Sequence, residues 1–171
     1  SSGANGYTIE EANKTTTGTD LILYLKDNDE FNNYDEYLEE DKIISIVKKY
    51  SDYIKYPIKM EVTEDKKKVL KTLNSMIPIW KKDQKEVKEE EYNDFYTDKF
   101  YDYEKPLKVI RTSVEGLTSY QGLLFIPSHA PYNYYTKEYT KGLQLYSKGV
   151  MIMDKCSDIL PDYFSFVKGL V

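Results

Sequence analysis

Nucleophilic catalysis needs a nucleophile with a base in reach, and the only histidine of this chain is His129, in Pro127-Ser128-His129-Ala130-Pro131. Two flanking prolines constrain that stretch as a surface loop, which suits a solvent-exposed histidine better than a base. One histidine and one cysteine, Cys156, supply neither a histidine-based metal cluster nor a multi-cysteine zinc site. Among 29 acidic residues no spacing singles out a carboxylate pair, and Glu89-Glu90-Glu91 reads as the first turn of a helix, where acids complement the helix dipole. Gly3 to Gly6 and Gly116 to Gly122 match neither the Walker nor the dinucleotide-binding pattern, and Gly116 fits a hairpin turn. Asn13-Lys14-Thr15 has the form of a glycosylation triplet, but a single cysteine gives it no secretory context. By residue chemistry alone the chain is α+β and lacks a complete active site.

The elements that would position these residues belong to a chain of 171 residues, 40% hydrophobic and 31% charged, which is ordinary for one or two small domains and excludes a disordered tail. A net charge of −5 disfavours nucleic acid or anionic membrane as a partner. Of 24 basic residues only Arg111 is an arginine, so bidentate recognition of phosphate or carboxylate has almost no supply. Eighteen tyrosines reflect compositional bias more simply than function. No stretch approaches a membrane helix, and the first residues lack the basic and apolar parts of a signal peptide. The missing initial methionine and an end inside an apolar run suggest a piece of something longer.

The pattern predicts a β-hairpin from Tyr7-Thr8-Ile9-Glu10 and Leu21 to Leu25, the second strand being apolar on both faces. Asn33 and Glu36 then have capping-box spacing, and Ile43, Ile46, Val47, Tyr50 and Ile54 share one helical face that ends before Pro57. Ile58, Met60 and Val62 alternate as a half-buried strand. The lysine-rich stretch Glu64 to Thr72 reads as a solvated linker. A second helix is expected from about Glu89 to Phe100, with Tyr92, Phe95, Tyr96 and Phe100 on one side. Strands follow over Leu107 to Val114, Tyr120 to Ile126, and Leu143 to Met153 with a bend at Gly149. A short helix is expected around Cys156 to Ile159.

Several segments, in order, resemble the ninety-kilodalton heat-shock chaperone family. They are Gly18 to Lys26 (GTDLILYLK), Ile46 to Ile58 (IVKKYSDYIKYPI), Asn74 to Trp80 (NSMIPIW), Glu91 to Tyr96 (EYNDFY), Pro106-Leu107 leading to Glu115-Gly116, Leu123 to Pro127 (LLFIP) with Ala130-Pro131, and Leu160 to Tyr163 followed by Phe166 to Val171 (FVKGLV). The resemblance covers nearly the whole chain. It implies an α+β fragment astride two domains. Residues 1–63 would be the C-terminal part of a GHKL-type ATPase domain, 64–74 a charged linker, and 75–171 the first part of a middle domain that opens with a ribosomal-protein-S5-like α/β layer.

The resemblance further implies an ATP-driven, homodimeric, cytoplasmic chaperone of partly folded client proteins, using ATP with Mg in the intact protein. In the family order the nucleotide-pocket residues precede Ser1 and the catalytic-loop arginine follows Val171, so no nucleotide binding is expected of this fragment. Thr19 matches a threonine at the adenine end of the family pocket. Trp80 and Phe125 match aromatic positions of the middle domain, where packing competes with an interdomain or client surface. Val150, Met151 and Ile152 match a triplet beside the catalytic loop, with Met151 where many members place phenylalanine. The competing reading is a free-standing protein-binding module whose adhesive surface is the loop carrying Tyr132, Tyr134, Tyr135 and Tyr139.

Overall fold

The computed structural model describes residues 6–171, so Gly3 lies outside the described residues. Contacts divide the chain between Glu36 and Tyr37. In the first unit the expected hairpin does not form: no strand occurs between Gly6 and Glu36, and Tyr7, Ile9 and Leu21 to Leu25 are exposed. A strand apolar on both faces needs cover on both faces and pairing on both edges, and two strands alone are marginal. Local polar bonds supply what order there is. Asp29 Oδ1 accepts from the side chain of Asn32 and from the Phe31 and Asn32 amides, all at 2.9 Å, and these bonds hold its carboxyl below the usual range. Asn28, five residues before Asn33, does the capping: its Oδ1 accepts from the amides of Tyr34 at 2.7 Å and Asp35 at 3.2 Å at the head of a 3-10 turn, Tyr34–Leu38.

The second unit begins with helix α1, Glu40–Tyr50. Ile43, Ile46 and Val47 are half-buried along one face, but the helix closes at Ser51, whose amide donates to Val47 O, so Ile54 falls in a turn. Strands β1 (Lys59–Glu64) and β2 (Lys67–Thr72) form an antiparallel hairpin, with Val62 opposite Val69. The stretch expected as a linker, Glu64 to Thr72, is thus strand apart from its two turn residues. Its turn, Asp65-Lys66, has both residues at positive φ, as a two-residue hairpin requires, although neither is glycine. The lysines face acids across the pair, Lys71 with Glu64 at 2.7 Å and Lys68 with Glu61 at 3.9 Å. Thr63 ties the hairpin to the start of α1, donating from its amide and its hydroxyl to the Glu40 carboxylate at 3.0 Å each.

Helix α2, Glu89–Phe100, lies where the periodicity predicts it. Its first turn is closed by the Lys88 amide donating to Glu91 Oε1 and the Glu91 amide to Lys88 O, each at 3.1 Å. Beyond it come β3 (Lys108–Val114), β4 (Tyr120–Ile126), β5 (Leu143–Ser147), β6 (Val150–Cys156) and β7 (Lys168–Leu170), in the spatial order β3-β4-β7-β5-β6. The stretch expected as one bent strand is two, reversed at Lys148-Gly149, where both residues have positive φ. The expected helix at Cys156 is absent because Cys156 pairs with Leu143 at the end of β6; the helical turn comes later, at Asp162–Phe164. Strand β7 lies antiparallel to β4 and parallel to β5, so the sheet is mixed and the class is α+β. Tyr92 and Tyr96 of α2 pack with Leu123, Phe125 and Leu170 in one buried cluster. Arg111 crosses from β3, donating to Tyr92 OH at 3.2 Å and Lys82 O at 2.5 Å.

One buried side chain organises the approach to β1. Asn74 accepts from the Ile58 amide at 2.8 Å and donates to the carbonyls of Ile54 at 2.9 Å and Tyr56 at 3.0 Å. Removing it strands three backbone groups, and each buried unsatisfied group costs about 1–3 kcal/mol. Asn74→Ala is expected to lower the urea-unfolding free energy by at least about 2 kcal/mol, against less than about 0.5 kcal/mol for an exposed control such as Lys85→Ala.

Candidate functional site

The described residues bring chemistry together at the turn after α1. Asp52 and Tyr53 are buried there, although both follow a helix with no fully buried residue. Asp52 Oδ1 accepts from the Ser75 amide at 2.9 Å, Ser75 Oγ at 3.0 Å and Lys48 Nζ at 3.1 Å. Its main-chain carbonyl accepts from the Ser75 and Met76 amides at 3.0 and 2.9 Å. Both ends of one residue therefore grip the segment that leads to Trp80.

Tyr53 packs its ring against aromatics from two other places in the chain. The Trp80 ring centroid lies 4.6 Å away and that of Tyr146, from β5, 5.3 Å away, both edge-on. Phe95 of α2 continues the cluster from Trp80 at 6.0 Å to Phe125 at 6.1 Å. Lys99 of α2 closes it: its Nζ donates to Tyr146 OH at 3.0 Å and stands 5.4 and 5.6 Å from the ring centres of Tyr53 and Tyr146. Burial raises the Tyr53 hydroxyl far above the usual phenol value. The Tyr146 hydroxyl is pushed up to about 12, by burial and then by the charges of Asp52 and Asp154. Burial also brings Lys99 below the usual lysine range, with the same two carboxylates pulling the other way.

Gly149 fixes how closely the β5–β6 turn approaches this cluster. Its φ is +86°, and a Cβ there would lie 2.1 Å from Tyr53 O. Two grooves flank the junction. One, of about 1210 Å³, is lined by Trp80, Tyr120, Tyr146, Lys148 and Ile152 among others. The other, of about 1140 Å³, runs between α1, α2 and β6 and is lined by Lys48, Tyr50, Asp98, Lys99, Asp154 and Lys155 among others.

A second polar cluster surrounds Asp102, whose side chain is 4% exposed. Tyr96 OH donates to its Oδ2 at 2.5 Å and Lys168 Nζ to the same oxygen at 3.1 Å, while His129 Nε2 lies 3.5 Å from Oδ1. Burial acts to raise the Asp102 carboxyl, but the bonds from Tyr96 and Lys168 outweigh it and leave the group below the usual range. His129 is therefore half-buried, stacked on Tyr103 at 4.8 Å, and not the open loop residue its flanking prolines suggest. Ser128 Oγ donates to Glu104 at 2.6 Å, so its proton is directed to that carboxylate.

The residues singled out from sequence scatter. Thr19 is exposed in the first unit and borders neither groove. Trp80 and Phe125, carried as possible surface, are 5% and 0% exposed, because both are enclosed by the aromatic packing beneath the sheet. Met151 is buried too, Val150 is half-buried, and Ile152 alone of the triplet is open. Of the loop tyrosines only Tyr132 and Tyr135 are exposed; Tyr139 OH donates to Ser165 O at 2.6 Å and Tyr134 OH lies 2.8 Å from Ser165 Oγ. Sequence reasoning missed Asp52, Asn74, Lys99 and Asp102. Only the stretch IVKKYSDYIKYPI hinted that the Asp52 turn mattered.

The sequence model of the Hsp90 protein family matches residues 59–171, which include Trp80, Lys99, Tyr146 and Gly149. The chain belongs to the Hsp90 family. Across its full length it is 57% identical to chaperone protein HtpG of Clostridium botulinum (strain Hall) and 52% identical to chaperone protein HtpG of Clostridium perfringens (strain 13). In each case it spans 29% of the relative's length. Among solved structures, the middle domain of a Plasmodium falciparum heat shock protein is similar with a TM-score of 0.51 and 36% identity, over 55% of this chain and 39% of that one. The Hsp90 membership accords with the collinear segments read from sequence. Among the described residues no helix is long and apolar enough to cross a membrane.

Two outcomes test this geometry. Gly149→Ala puts a methyl against Tyr53 O and strains a positive-φ turn, and is expected to cost about 2 kcal/mol in thermal or urea unfolding, with faster amide exchange over Ser51 to Ile54. A carboxyl held below its unfolded value stabilises the fold above the unfolded value, about pH 4, and loses that contribution as pH falls through its folded value. Asp102→Asn should therefore be less stable than the parent at pH 7, with the gap narrowing below about pH 4. A gap independent of pH would show that the Asp102 charge contributes nothing.

Proposed function

We propose that this chain is the part of an Hsp90-type chaperone that couples its ATPase domain to its middle domain. Residues 1–63 serve as the C-terminal part of a GHKL-type ATPase domain, 64–74 as the connection, and 75–171 as the first, S5-like part of the middle domain. The observation that carries this reading is the seating of the Asp52-Tyr53 turn on Ser75, Trp80, Tyr146 and Gly149. A displacement of α1 is felt through Lys48 and Asp52 at the segment before Trp80, and through Tyr53 at the β5–β6 turn.

The intact protein in this reading is a cytoplasmic, homodimeric chaperone that hydrolyses ATP with Mg and remodels partly folded clients. Thr19 would face the adenine in that setting. That this chain alone takes up no nucleotide is part of the reading, and it is supported by the exposure of Thr19, which lines neither groove, and by the bonds of Arg111 to Tyr92 and Lys82. Ile152, open at the groove beside Trp80, is the member of its triplet available for client or interdomain contact.

Calorimetry of the chain with ATP and Mg is expected to give no stoichiometric binding; saturable uptake would overturn that part of the reading. In the full-length protein, Tyr146→Ala is expected to lower ATP turnover at least several-fold while leaving nucleotide affinity unchanged. Unchanged turnover would remove the coupling role.

A further inference from the structure

The aromatic junction contains a lysine in an unusual setting. Lys99 Nζ is bonded to a phenol, Tyr146 OH at 3.0 Å, and sits over two ring faces. Among the described residues it forms no ion pair, whereas Lys48, lining the same groove, is paired with Asp52 at 3.1 Å. Lys99 lines the groove between α1, α2 and β6, whose volume of about 1140 Å³ is ample for a small reagent. An ammonium that has exchanged water for aromatic surface and one hydroxyl gives up its proton more readily than one paired with a carboxylate.

We propose that Lys99 is a preferred acyl acceptor, a modification site for activated carboxylic acids of the acyl phosphate class, and that its acylation loosens the aromatic junction. The neutral Nζ lone pair attacks the acyl carbonyl carbon and a nitrogen–carbon bond forms. The carbon–oxygen bond to phosphate breaks, phosphate leaves with its electron pair, and the proton shed by nitrogen passes to water. The amide product carries no charge, so the attraction to the Tyr53 and Tyr146 faces is lost, and the added acyl group must be accommodated between α2 and β5. Burial brings the Lys99 ammonium below the usual lysine range and the Lys48 charge adds to this, while the Asp52 and Asp154 carboxylates pull the other way without restoring it. The loosening, and only the loosening, rests on the coupling role proposed for the junction.

The test treats the chain with acetyl phosphate and follows each lysine by peptide mass spectrometry. Lys155 shares the groove and serves as the internal reference. At about pH 7.5 Lys99 is expected to be acetylated several-fold faster than Lys155, with the ratio falling toward one at about pH 10.5, where ordinary lysines also lose their protons. A Lys99 rate no greater than that of Lys155 at the lower pH overturns the site and leaves the coupling role untouched. Chain acetylated at Lys99 is then expected to exchange the Ser51 to Ile54 amides several-fold faster than untreated chain. Faster acetylation with unchanged exchange overturns the loosening. Lys99→Arg, which keeps the charge and cannot form this adduct under the same conditions, should retain the slow exchange after treatment; loss of protection there would assign the effect to other lysines.

Discussion

The arrangement of residues 37–171 depends on desolvating one turn, Asp52-Tyr53, without leaving its polar groups unpaired. Burying a carboxylate and a phenol side by side is costly unless each finds partners. Asp52 meets that demand with three donors on one carboxylate oxygen and two on its main-chain carbonyl. Tyr53 meets it by packing its ring edge-on against Trp80 and Tyr146 beside the Lys99 ammonium. Because these partners come from the segment before Trp80, from α2 and from β5, satisfying one turn fixes three elements at once. Backbone contact then completes what side chains begin, since Gly149 lets the β5–β6 turn reach Tyr53 O.

Asp102 plays the corresponding part at the C-terminal end of α2. It receives Tyr96 from the helix and Lys168 from β7, so the C-terminal end of α2 is fastened to the central strand of the sheet. Asp102 thus holds α2 directly through Tyr96, and the Asp52 turn holds it through the Tyr53 ring and Lys99. This division explains why a helix with three acids in its first turn and a mixed surface is nonetheless immobilised: its grip comes from Tyr92, Tyr96 and Lys99.

Periodicity revealed the elements whose patterning is local. Helix α2, strands β3 and β4 and the start of β1 were legible because burial on one face imposes a spacing that neighbouring residues share. The hairpin of β1 and β2 was hidden because its turn uses Asp65-Lys66 in place of glycine and its outer strand carries lysine, as edge strands do. Leu21 to Leu25 have the composition of a strand but form none among the described residues, because pairing is a non-local property that composition cannot provide. The site was less legible than the fold. Lys99 and Asp102 belong to residue types that usually face water, and their burial is decided by Tyr146 and Lys168, many tens of residues away. The collinear family segments pointed to the neighbourhood, and of the two roles they left to Trp80 and Phe125, packing or surface, burial agrees with packing.

Strand β7 is three residues long, the last of the described strands, and the piece that joins β4 to β5. During synthesis the ribosome releases the β3–β4 hairpin and then the β5–β6 hairpin before β7 exists. Each waits with the edge that will face β7 unpaired and with Leu123, Phe125 and Leu143 uncovered by that strand. The sheet therefore closes late and all at once, through contacts of long sequence separation, and such closure is slow. For the interval before it, the nascent chain presents the kind of open strand edge that invites association with other chains.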